Sequence, residues 1–159
     1  PAGTGDPLNG YYQILQSPGY IVLLMEVFHD ARIIPLDGSP HLSDSIRQWH
    51  GDSRGRWDGN TLVIDTTNLS SKSNFLGSAE NLHIVERITR TAPDMIDYEV
   101  TLTDPSTWIT PWTALIRLTQ LKTKIYEYAC HEGNRAMNGI LAAARAEEKA
   151  VAEADKGRE

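Results

Sequence analysis

Between Tyr11 and Cys130 apolar residues recur at every second position, cut at short intervals by turn-forming residues, which predicts strands joined by tight turns. Pro1 to Gly10 is rich in Gly, Pro, Asp and Asn and reads as an opening loop. Tyr11 to Gln16 is a first strand, ended by Ser17-Pro18-Gly19. Tyr20 to Phe28 is apolar on both faces and is expected to be central. His29-Asp30 turns the chain into Ala31 to Leu36, and Asp37-Gly38 stops it. Ser39 to Asp52 has no clean period and reads as a long loop with a helical turn at Ser43 to Gln48, the kind of loop that often carries function. Arg54 to Trp57 and Thr61 to Thr66 flank Asp58-Gly59, a strong hairpin signal. After a Ser- and Asn-rich loop, Leu82 to Thr91 and Met95 to Asp104 form a second hairpin across Ala92-Pro93-Asp94, with Ile96, Tyr98, Val100 and Leu102 on one face. Thr113 to Leu121 and Lys124 to Cys130 form a last one.

Past Gly133-Asn134 the period changes, and Met137, Ile140, Leu141 and Ala144 share one face of a helix. Eight or nine sequential strands without crossover helices exclude a parallel α/β fold. The expectation is a mainly β domain, an antiparallel up-and-down (calycin-like) barrel with one C-terminal helix, because closure removes exposed strand edges. A two-sheet sandwich is the alternative. The barrel domain is expected to span residues 1–144, with 145–159 a charged, solvated extension of the helix in which Lys149 and Glu153 are spaced to pair.

Composition narrows the function classes. The 159 residues carry a net charge of −6 and no clustered Lys and Arg, which disfavours nucleic acid and anionic membrane surfaces. The longest apolar stretch is too short to span a bilayer and is broken by Glu26. The one cysteine, Cys130, reads as a small buried apolar residue or as half of a disulfide to a segment outside these residues.

Two carboxylates fall where the pattern asks for apolar groups. Glu26 is expected on a face with Val22, Leu24 and Phe28, and Glu86 on one with Leu82, Ile84 and Ile88. A buried carboxylate needs a partner or a shifted pKa, and Arg32, Arg87 and Arg117 are strand residues able to supply the partner. Such a group is either a structural Glu–Arg pair or an acid, base or polar anchor within a pocket. His131, beside Glu132 at the start of the helix, is a third catalytic candidate, with helix capping as its other reading. His50 stands near Asp52 and invites a His–carboxylate pairing. Trp49, Trp57, Trp108 and Trp112 lie near loops or strand ends, suited to stacking on a ligand at a barrel mouth or to plugging its end; Tyr98 and Arg117 join them as candidate ligand contacts. No His spacing of a metal site and no phosphate or dinucleotide loop occurs, so neither a metal nor a cofactor is expected. Asn68-Leu69-Ser70 matches a glycosylation acceptor.

The string Gly55-Arg-Trp-Asp-Gly-Asn-Thr-Leu-Val-Ile-Asp-Thr66, with Ala31-Arg-Ile-Ile-Pro-Leu-Asp-Gly38, Asp104-Pro105, Pro111-Trp-Thr113 and Tyr126-Glu-Tyr-Ala-Cys130, resembles a family of uncharacterised exported bacterial proteins of soil and acidobacterial genomes. The resemblance runs from about Tyr11 to Ala144. It implies a periplasmic or extracellular home, and a chain that is the C-terminal part of a longer precursor. It also implies an oxidising compartment in which Cys130 pairs with an upstream cysteine. No activity and no catalytic residue come with it. The leading expectation is an exported module that binds a small apolar or carbohydrate-like ligand. The alternatives are a subunit of an extracytoplasmic assembly, docking through Cys130 and the helix, and a small acid/base enzyme (isomerase, lyase or hydrolase) using a buried Glu.

Overall fold

A computed structural model describes residues 10–126, 133 and 135–156. Contacts group the chain into two units, Pro1–Tyr128 and Ala129–Glu159. The first holds two antiparallel sheets. β1 (Tyr12–Ser17), β2 (Tyr20–Met25) and β3 (Ala31–Pro35) make a three-stranded sheet in that order. β4 (Asp52–Asp58), β5 (Thr61–Thr67), β6 (His83–Ala92), β7 (Met95–Thr103) and β8 (Trp112–Thr119) make a five-stranded one, also in chain order. Every neighbour follows its predecessor in sequence, as hairpin signals without crossovers require.

The expected centrality of the Tyr20 strand is met: β2 lies between β1 and β3, with Ile21, Leu23 and Met25 buried. Its predicted end is corrected. The strand stops at Met25, and Val27–His29 form a 3₁₀ turn in which His29 takes a positive φ of 54°. The first clear hairpin shifts by one residue: Asp58 pairs with Thr61, so the turn residues are Gly59-Asn60, with Gly59 at φ 59°. Ile96, Tyr98, Val100 and Leu102 share the inward face of β7 as their alternation predicts.

Both sheets contribute to one core. Ile21, Leu23 and Ile34 from the smaller sheet join Leu62, Ile64, Val100 and Leu102 from the larger. Gly55 on β4 allows the sheets to approach: a Cβ there would lie 2.6 Å from Leu36 and 2.9 Å from Ile34. Among the described residues β1 pairs only with β2, and β8 only with β7, so each is a sheet edge. The predicted partner of β8 is corrected in part: Lys124, Ile125 and Tyr126 form no strand, and the remainder, through Cys130, lies outside the described residues.

In the second unit α1 (Ala136–Lys156) is a 21-residue helix. Met137, Ile140 and Leu141 are exposed on it. Lys149 and Glu153 approach to 3.8 Å, the predicted spacing. No helix among the described residues is long and apolar enough to cross a membrane.

Candidate functional site

The inward face of β6 explains the site. Glu86 pairs in register with Ile64 of β5 and Val100 of β7, so its carboxylate is surrounded by apolar neighbours and is 2% exposed. Arg32 shares a face of β3 with the fully buried Ile34 and reaches across from the other sheet. Its Nη1 donates to Glu86 Oε1 at 2.9 Å and its Nη2 to Oε2 at 2.6 Å, a bidentate pair. Tyr98 on β7 is the diagonal neighbour of Glu86, within reach of a long side chain, and its hydroxyl donates to Oε1 at 2.7 Å. Arg32 Nη2 also donates to Ser53 Oγ and Thr66 Oγ1, which are bonded to each other at 2.9 Å.

The electrostatics follow from this geometry. Burial alone would raise the Glu86 carboxyl, but the Arg32 charge and the hydrogen bonds from Arg32 and Tyr98 outweigh it and hold the group below its ordinary range. Burial likewise would lower the Arg32 guanidinium, and Glu86 more than compensates. Burial and the adjacent carboxylate push the Tyr98 phenol up, so it stays a neutral donor. Glu86 is therefore an ionised anchor with no proton to give. The acid/base role foreseen for it gains nothing from this geometry.

The cluster forms one wall of a pocket between the sheets. Leu23 and Met25 of β2, Ile88 of β6 and Leu118 of β8 supply apolar walls, joined by Tyr12 and Ile14 of β1. The space open to the centre of a water molecule is about 30 Å³, within about 430 Å³ of atom-free volume that includes the mouth. Since one water needs roughly 10–15 Å³ of such space, the enclosed part has room for about two waters or a small organic group. The edge strands β1 and β8 both contribute to this lining.

A second polar chain holds the long loop on the outer face. His41 Nδ1 lies 2.9 Å from Asp52 Oδ2, and its Nε2 lies 3.0 Å from Asp65 Oδ1. Both ring nitrogens thus face carboxylate oxygens. His83 Nε2 approaches the same Asp65 at 3.0 Å. Asp52 is buried and is also held by Arg54 at 2.8 Å and by the Leu42 amide. Asn68 Nδ2 donates to the carbonyls of Leu42 and Ser43, and Ser73 Oγ to that of Trp49. The loop is ordered by side chains of the sheet and its flanking turns, which accounts for its order without any ligand.

Of the residues singled out in the sequence, the structure brings Glu86, Arg32 and Tyr98 together. Glu26 lies beyond the end of β2, at the N-terminus of the 3₁₀ turn, and lines no part of the pocket. Arg87 and Arg117 pair instead with Asp58 and Asp97 on the outer face. None of the tryptophans lines the pocket: Trp49 and Trp57 are exposed, while Trp108 meets Trp112 edge-on at 5.8 Å and Trp112 stacks on Phe75. His50 pairs with Asp30 at 3.1 Å, leaving Asp52 to His41. Asn68 is buried and consumed by loop carbonyls, so it is no surface acceptor for a glycan. His131 and Cys130 lie outside the described residues. Sequence reasoning missed the His41–Asp65–His83 chain, whose members are separated by 24 and 18 residues. Among the described residues no group of three or more His, Cys, Asp or Glu is placed to hold a metal ion. Compared with protein-family models, curated proteins and solved structures, the chain matches none.

Proposed function

We propose that this domain is a binding module for a small, mainly apolar molecule held between the two sheets. The observation that carries the reading is an apolar pocket whose wall includes the buried Arg32–Glu86–Tyr98 cluster. Convergent polar groups in an apolar concavity are the usual composition of a ligand site. The enclosed volume limits the buried part of the ligand to a small ring or a chain end. In this reading the two sheets are a barrel left open along β1 and β8, in a protein that the motif resemblance implies is exported.

Benzene is a first probe, an apolar molecule that would seat at the mouth with one edge in the inner space. Titration followed through the methyl resonances of Leu23, Ile88 and Leu118 should show saturable shifts confined to the pocket, and Leu118→Trp should abolish them. No shift in a saturated benzene solution would overturn the proposal.

A second reading, a subunit of a larger assembly, is favoured by the exposed Met137, Ile140 and Leu141 of α1. Sedimentation would support it by showing a species of several chains that Ile140→Glu dissociates.

A further inference from the structure

The strand pairing of the smaller sheet separates its two faces. On the inner face Ile14, Leu23 and Arg32 stand opposite one another across β1, β2 and β3 and line the pocket. The next row, Leu15, Val22 and Ile33, therefore points outward. Gln13, Leu24 and Ala31 flank it on one side, and Ser17, Tyr20 and Pro35 on the other. These nine positions hold seven apolar or aromatic residues, two uncharged polar ones and no charge, although charged residues make up 23% of the chain. Ile33 is 64% exposed, Tyr20 46% and Leu15 43%. The outer face of the larger sheet is of the ordinary solvated kind, with Arg87 paired to Asp58 and Arg117 to Asp97.

An antiparallel sheet with one face in water alternates apolar with polar residues, whereas strands apolar on both faces are covered on both. A contiguous exposed apolar face marks a contact surface. Charge decides what covers this one. A partner that brought a charge here would desolvate it, and none of the nine residues could pair with it. The matching surface must be flat, apolar and uncharged, as this face is itself. The chain carries a net charge of −6, so two copies repel over most of their surface, and a charge-free face is where they can meet. Size sets the strength. Three strands about 4.8 Å apart, with five or six residues rising about 3.4 Å each, give a face of roughly 15 by 20 Å. Two such faces bury roughly 600–1,000 Å² in all, below the roughly 1,200–2,000 Å² of a stable specific interface.

We propose that the outer face of β1, β2 and β3 is a self-association surface, on which two copies of this chain pack sheet to sheet about a two-fold axis. Val22, at the centre of the middle row, then lies near its own counterpart. The dimer is weak and reversible, as its area requires. The pocket lies on the opposite face of the sheet, so the proposal stands apart from the pocket reading.

Sedimentation of the full chain from about 10 µM to about 1 mM should show a monomer–dimer equilibrium with a Kd on the order of 100 µM. Over the same range the methyl resonances of Leu15, Val22 and Ile33 should shift with concentration, while those of the core residues Leu62 and Ile64 stay still. Ile33→Glu and Leu15→Glu each set like charges across the contact at an already exposed position. Each should weaken association at least about tenfold and leave urea unfolding of the monomer unchanged. Ile140→Glu should leave the dimer intact. A chain that stays monomeric throughout overturns the proposal, as does a dimer that Ile140→Glu dissociates and Ile33→Glu does not. A dimer in which the Ile33 methyl is unmoved overturns it too, and would place the contact on the open edge of β1. Flotation of the monomer with neutral phosphatidylcholine vesicles, lost in Ile33→Glu, would assign the face to a lipid surface and equally overturn it.

Discussion

Replacing Glu86 by Gln tests whether the buried pair stabilises the fold as its geometry implies. The amide retains shape and one acceptor but removes the charge that Arg32 faces from 2.6 and 2.9 Å. Three charge-assisted hydrogen bonds end on this carboxylate, each with a net value of about 1.5–3 kcal/mol. The amide keeps part of them but leaves the Arg32 charge buried and uncompensated, so the loss should be about 3–5 kcal/mol. That is a large part of the roughly 5–15 kcal/mol that stabilises an ordinary domain. The companion variant Arg32→Met/Glu86→Leu/Tyr98→Phe removes the ions and the hydroxyl together, while Ser53 and Thr66 keep their bond to each other. It should lie within about 2 kcal/mol of wild type, or above it. Urea unfolding at pH 7, with equal slopes across variants, gives both numbers. The Glu86 carboxyl is held below its ordinary 4.5 when folded, so its contribution is full above that value and is lost as pH falls through the folded one. The gap between wild type and Glu86→Gln should therefore narrow in strong acid. A single variant less than about 1 kcal/mol below wild type, or a triple variant as unstable as the single one, would refute the reasoning.

Asp104, held at about 2 by hydrogen bonds from Ser106, Ser78 and Thr107, should give stability that is complete above pH 3.8 and lost between there and about 2; Asp104→Asn should flatten that acid limb in a pH series of unfolding curves. Gly55→Ala should cost about 1–3 kcal/mol in urea unfolding, since the new methyl meets Leu36 and Ile34 at sub-contact distance. His41→Ala cuts both links from the loop to Asp52 and Asp65, and limited proteolysis between Asp37 and Gly51 should accelerate about 5- to 30-fold, the equivalent of 1–2 kcal/mol of local opening. An unchanged cleavage rate would assign the loop's order to Asn68 instead.

What could be read in the sequence was whatever a period-two pattern encodes. Glu86 stood out because it interrupts an apolar face, and Arg32 was among three candidate partners for it. Pattern alone could not choose, because Arg32, Arg87 and Arg117 differ in which face of which sheet they occupy, a property of strand pairing. Tyr98 was legible as an inward residue but not as a donor to Glu86, since diagonal contacts depend on register. The tryptophans stood as ligand contacts or as plugs, and pattern alone could not choose: Trp108 and Trp112 pack against the core, while Trp49 and Trp57 are exposed, because a place near turns says nothing of whether neighbours cover a side chain. Glu26 misled because an apolar run continues to Phe28, while the backbone turns after Met25. Asn68 matched a surface motif, yet its αL conformation and two loop carbonyls turn it inward.

The absence of a side chain at Gly55 acts as a spacer of zero thickness between the sheets. Ile34 and Leu36 press directly on that backbone, and Arg32, two residues before Ile34, stands at the pocket. The gauge of the gap is thus set at a point that lines no part of the pocket. A single methyl at position 55 is a shim: it should widen the cleft and lengthen the Arg32–Glu86 reach while every lining residue keeps its identity. Cleft width and ion-pair strength are in this way coupled to one backbone position, and a family of shims there would trade one against the other.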